Sequence, residues 1–137
     1  MIARRALLES AAGLMLLARS VHGQTSSGGP RRLFEHDLPN VTLDNWSVTA
    51  VEVDYGPGAG SPAHSHPGIT IAYVLEGEIR SKVGDDEERT YSAGQMFLET
   101  PGQLHAVSRN ASESKPAKLL AILLAEKGTP LTTPAKA

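Results

Sequence analysis

Cysteine is absent from the 137 residues. That excludes disulfides, a thiolate nucleophile and every thiolate metal site, so any metal must be held by imidazole and oxygen donors. An excess of charge of one sign is missing too: the formal net charge is −2 and the sequence pI is about 6.2. No basic patch or stripe appears after the first residues, which argues against nucleic acid as a main partner and leaves a small polar molecule open. The apolar stretch Ala6 to Ala18 is too short to span a membrane. No Gly-rich phosphate loop, nucleophile elbow or internal repeat is visible. A chain of 137 residues with 40% hydrophobic content supplies one ordinary globular domain.

What is present divides the chain into four parts. Arg4 and Arg5 precede the apolar stretch, and Val21-His22-Gly23 ends in small residues, so 1–23 resembles a secretory signal peptide of twin-arginine type. Ala3 and Glu9 depart from the usual motif, and a docked amphipathic helix is the alternative. The expectation is export, to a bacterial periplasm, with no stable membrane anchor after processing. Residues 24–45 read as linker and N-terminal arm: Gln24 to Arg32 is rich in Ser, Gly and Pro, and Leu33, Phe34 and Leu38 suit an irregular arm or an extra edge strand. Its apolar edge predicts a homodimer. The domain itself spans 46–126, and 127–137 is expected to be a flexible tail, disordered or loosely laid on the surface.

Within the domain, short β-branched and apolar runs are divided by turn residues. Strands are predicted at Trp46 to Tyr55, Ile69 to Glu76, Glu78 to Val83, Thr90-Tyr91, Met96 to Glu99, Leu104 to Arg109 and Ala117 to Leu124. The last is apolar on both faces and has helix-favouring residues. It is only about two turns long as a helix, so a buried strand fits better. The pattern predicts an all-β sandwich or barrel. Asp85 to Glu88 reads as a solvated acidic hairpin tip, because consecutive carboxylates do not converge without a dedicated loop.

His64 and His66 stand two apart, a spacing that on a strand places both imidazoles on one face, with Cα atoms about 7 Å apart. They could then reach one metal at about 2.1 Å. By spacing alone they read equally as exposed loop residues. His105 follows the Pro101-Gly102 turn and can approach the same point in a barrel.

The wider arrangement resembles the cupin superfamily. Gly58, five residues, His64-Ser65-His66 and later Gly77 are similar to its first motif, G-x5-H-x-H-x3-4-E-x6-G; Gly94, Pro101-Gly102 and His105 are similar to its second, G-x5-P-x-G-x2-H-x3-N. The resemblance covers about Trp46 to Leu124. It implies a single-domain β-barrel of jelly-roll type holding a divalent metal ion (Fe, Mn, Zn or Ni) through His64, His66 and His105. Three departures stand out. Thr70 occupies the position of the motif-one glutamate, Thr100 that of the first proline of motif two, and the asparagine falls one residue late, at Asn110.

A three-histidine site of this kind implies Fe(II)-dependent dioxygenase-type chemistry on a small oxygenated substrate. Loss of the metal with Thr70 is the rival outcome, and a non-catalytic small-molecule binding or sensing module uses the same cavity. Glu99 is the one nearby carboxylate able to substitute for the missing glutamate, as ligand or general base. Period-two alternation puts it on the face of Phe97, so it points inward only if Phe97 does. Tyr73 and Met96 are expected to line the pocket with Thr70 and Phe97. Arg109 is a candidate partner for a substrate carboxylate, and Asn110 for holding the exit loop.

Overall fold

The computed structural model describes residues 28–136. The expected signal peptide, 1–23, lies outside the described residues. Ten strands and no helix are found among those described: β1 (Trp46–Tyr55), β2 (Gly60–Ser61), β3 (His64–Ser65), β4 (Ile69–Glu76), β5 (Glu78–Val83), β6 (Arg89–Ser92), β7 (Met96–Glu99), β8 (His105–Asn110), β9 (Ala117–Glu126) and β10 (Thr133–Pro134). They form two antiparallel sheets, ordered β1-β9-β4-β7 and β10-β3-β8-β5-β6, with β2 joined to β8. The all-β expectation is met.

β9 shows why its sequence makes a strand. Its residues alternate strictly, Ala117, Leu119, Ala121, Leu123 and Ala125 being buried while Leu120, Ile122 and Leu124 are half-buried on the outer face. Flanked by β1 and β4, it is hydrogen-bonded on both edges, which suits a run apolar on both faces. Ala72, Val74, Ile79, Phe97, Ala117 and Leu119 close one end of the space between the sheets as a continuous apolar cluster. Burying a side chain such as Ile79, fully enclosed here, contributes about 1.5–3 kcal/mol. Gly77 turns β4 into β5 at φ 69°. A Cβ there would stand 2.6 Å from the Pro116 carbonyl oxygen, so both backbone sign and space require glycine.

β8 carries the irregularity that matters most. Val83 pairs with His105 but Lys82 with Val107, so Ala106 is an extra residue, a bulge. His105 and Ser108, three apart, are consequently both buried, as is Asn110. The late asparagine is thereby explained: the additional residue between His105 and Asn110 is taken up by the bulge, and the inward parity of both is kept. Asn110 Nδ2 donates to the carbonyls of Gly56 and Lys115 at 3.0 and 2.6 Å, and its Oδ1 accepts from Ser112 N–H, fastening the loop after β8.

Of the two alternatives for the arm, its described residues, 28–45, take the irregular one and form no strand: Leu33, Leu38 and Leu43 are 50%, 57% and 53% exposed. The tail is seated rather than loose, since Thr133 and Pro134 pair with Ser65 and His64. Its composition gives no β signal; β3, lying at the sheet's edge beside it, supplies the backbone partners. Asp85 to Glu88 are exposed, as expected of a hairpin tip.

Candidate metal centre

The two sheets bring four side chains together from three strands and a loop. His64, on β3, pairs directly with His105, on β8. His66 follows β3, and Glu99 ends β7. The ring centroid of His64 lies 4.9 Å from that of His66 and 5.0 Å from that of His105. One ligand atom from each of the three histidines and from Glu99 falls within 4.8 Å of the others. Donors sharing an ion at about 2.1 Å stand at most about 4.2 Å apart, so the four are already nearly gathered.

Glu99 answers the missing carboxylate. Thr70 and Glu99 are directly opposite each other on β4 and β7, and cross-strand neighbours share a face with Cβ atoms about 5 Å apart. The carboxylate thus enters the same region from the adjacent strand. Glu99 joins the three expected histidines in one cluster of possible metal ligands. Phe97 and Glu99 are both buried, at 5% and 3% exposure, which resolves their shared parity inward.

Hydrogen bonds orient the rings. His64 Nδ1–H donates to the Pro62 carbonyl at 2.7 Å, and His66 Nδ1–H to the Leu131 carbonyl at 2.7 Å. A carbonyl only accepts, so in both rings Nδ1 carries a proton and Nε2 is the nitrogen left to face the cluster. His105 is held through Nε2 by the Ser81 hydroxyl at 2.8 Å, leaving Nδ1 on the side of the cluster. Burial, with the neighbouring His105 and His66 acting in the same sense, holds His64 below its ordinary value against the opposing pull of the Pro62 carbonyl and Glu99. It is therefore a neutral donor.

The buried atoms Thr70 Oγ1, Glu99 Oε2 and His105 Nδ1 have no hydrogen-bond partner. Glu99 Oε1 comes within 3.2 Å of His105 Nδ1, and Oε2 within 3.6 Å of His66 Nε2, but neither contact is aligned as a hydrogen bond. A buried carboxylate is several kcal/mol unfavourable without a cation beside it. Three nitrogens and one oxygen suit a borderline divalent ion, so the donors fit a metal.

A cavity of about 510 Å³ opens over the four donors. Thr70 lines it; Tyr73, Met96 and Phe97 do not. Tyr73 and Met96 pair with each other on the outward parity of β4 and β7, the reverse of what a pocket role needs. Phe97 points inward but joins the core, its ring edge-on to His105 at 5.7 Å. Arg109 instead donates to the Gly58 carbonyl at 3.0 Å and lies 3.4 Å from Glu113. Sequence reasoning passed over Ser81, although a serine between Ile79 and Val83 on the inward face of β5 is a legible signal. Leu131 gives none, because its backbone does the work.

A family model described as a cupin domain matches residues 51–123. Among curated proteins, the chain is 32% identical over 83 residues to germin-like protein subfamily 2 member 2 of Arabidopsis thaliana, covering 57% of this chain and 37% of the relative. It is 32% identical over 91 residues to the cupin-domain-containing oxidoreductase srdB of Neurospora crassa, covering 66% and 45%. The chain thus spans less than half the length of these two relatives. Among solved structures, the DMSP lyase DddQ of Ruegeria pomeroyi superposes with a TM-score of 0.58 at 22% identity, over 65% of this chain and 43% of that one. A double-stranded β-helix protein of Klebsiella pneumoniae gives 0.53 at 22%, over 65% and 76%. At these identities the likeness is one of fold.

Proposed function

Because the chain belongs to the cupin family, we propose that it binds one divalent metal ion through His64, His66, His105 and Glu99, and acts on a small oxygen-bearing molecule at that site. The observation that carries this reading is the buried Glu99 carboxylate, whose Oε2 lacks a partner beside the equally unpartnered His105 Nδ1. The ion, when bound, supplies Lewis acidity and open coordination positions. Around it, Pro62, Leu131 and Ser81 hold the three rings in place, and Glu99 offers an oxygen able to accept a proton from a bound ligand. Apolar side chains of β1 and β9 wall the cavity above the donors. Redox chemistry of dioxygenase type is the favoured reaction class, supported by the oxidoreductase named among the relatives.

The reading is tested by elemental analysis of protein purified from its own compartment. One equivalent of metal is expected, lost in His66→Ala and His105→Ala; equal metal in wild type and both variants would reject the site. Oxygen uptake by the metal-loaded protein with small oxygenated substrates then separates an enzyme from a binding module.

Export and pairing complete the proposal. The signal-like segment 1–23 supports processing after Gly23, which intact-mass measurement of the exported protein checks. The exposed Leu33 and Leu38 of the arm, with Val48 at 67% exposure on β1, support a homodimer; a monomer by light scattering would reject it.

A further inference from the structure

The wall of the cavity, rather than its floor, holds information about the ligand. Val51, Val53, Leu119, Ala121, Leu123 and Leu131 face into it, and among the described residues no lysine or arginine lines it. Val51 is 37% exposed although it lies on the lining, which marks the mouth on the β1 side. Besides the four donors and Thr70 and Thr132, the polar part of the lining is a cluster of three hydroxyls. Tyr55 Oη lies 2.7 Å from Ser61 Oγ and 3.0 Å from Ser108 Oγ. Ser61 and Ser108 are cross-strand partners, and Tyr55, at the end of β1, reaches them from the other sheet. Tyr55 and Ser108 are 6% and 4% exposed.

Counting protons makes this cluster a donor. Three hydroxyls carry three protons, and their two mutual hydrogen bonds use two. One O–H is left free to donate, and all three residues line the cavity.

Counting charge limits what the acceptor belongs to. With a divalent ion and Glu99 ionised among neutral imidazoles, the site has a net charge of +1. A singly charged chelating ligand neutralises it. A dianion leaves a surplus negative charge against apolar walls, with no cationic side chain to offset its lost hydration. A cavity of about 510 Å³ is also far larger than a two-carbon dicarboxylate fills, and its size and lining match an amphipathic organic molecule.

We propose that this site selects an oxygen chelator bearing a single negative charge and an apolar body, such as a 2-oxo monocarboxylate with an alkyl substituent, and that the Tyr55–Ser61–Ser108 hydroxyl cluster is its second polar anchor. The inference rests on the metal centre proposed above. Oxalate-type dianions are disfavoured here by charge, although an oxalate decarboxylase of B. subtilis shares the fold.

Calorimetric titration of the full metal-loaded chain tests it with two probes that both close a five-membered O,O chelate ring, 4-methyl-2-oxopentanoate and oxalate. The oxo acid is expected to bind tighter by about ten-fold or more. Leu123→Arg, which adds the missing cation to the wall, is expected to narrow or reverse that order. Tyr55→Phe and Ser108→Ala are expected to weaken oxo-acid binding several-fold with metal content unchanged. Oxalate binding as tightly as the oxo acid to wild type would overturn the ligand class, and undiminished oxo-acid affinity in both hydroxyl variants would overturn the anchor. Either failure with stoichiometric metal present leaves the metal centre standing, whereas absence of metal overturns both.

Discussion

Thr70 and Glu99 are a single cross-strand unit, and the chemistry of the site turns on which of them carries the carboxylate. On the strand where the first motif expects glutamate, Thr70 is 1% exposed and its hydroxyl has no partner. An orphaned buried hydroxyl costs about 1–3 kcal/mol. Thr70→Val is therefore expected to stabilise the metal-free protein by about 1 kcal/mol in urea denaturation. Glu99→Gln keeps shape and burial but removes the charge. It is expected to lower metal affinity about ten-fold or more, measured by chelator competition, with the β-sheet circular dichroism unchanged. The sequence stated the parity rule linking Glu99 to Phe97 but not its sense, because alternation along four residues has no absolute reference. The inward direction came from pairing with β4, whose Thr70, Ala72 and Val74 are buried.

At the scale of elements, β8 and the tail do the positioning. Deleting Ala106 removes the bulge and restores strict alternation, so Ser108 and Asn110 stay on the face of His105, and the fold is expected to survive the deletion. Asn110→Ala removes the network that reaches from Tyr55 to Lys115, and is expected to destabilise the fold by about 3 kcal/mol or more, read as a fall in the urea midpoint. Ending the chain after Lys127 is a gentler change. It removes β10 and the Leu131 carbonyl that holds His66, while leaving β1, β9, β4 and β7 intact. Metal affinity is expected to drop about ten-fold or more with the unfolding midpoint of the metal-free barrel little altered. Both outcomes depend on hydrogen bonds between residues far apart in the chain, His66 and Leu131 being 65 residues apart, and no local pattern announces them.

Taken whole, the described residues form a β-barrel, and the proposed metal centre lies inside it. A ligand that binds only the folded state adds about 2.7 kcal/mol when present at a hundred times its dissociation constant. Removing the metal with a chelator is therefore expected to lower the Tm, by about 4–8 °C per kcal/mol for a domain of this size; an unchanged Tm would argue against occupancy. The chain by itself determined the all-β architecture, most strand bounds and the three histidines, because alternation, turn residues and ligand spacing are local properties. Only the tertiary structure decided that Glu99 stands opposite Thr70, that the tail closes on β3, and that Tyr73 and Met96 face away. Those facts depend on register between strands distant in sequence, and a shift of one residue exchanges the two faces of a strand.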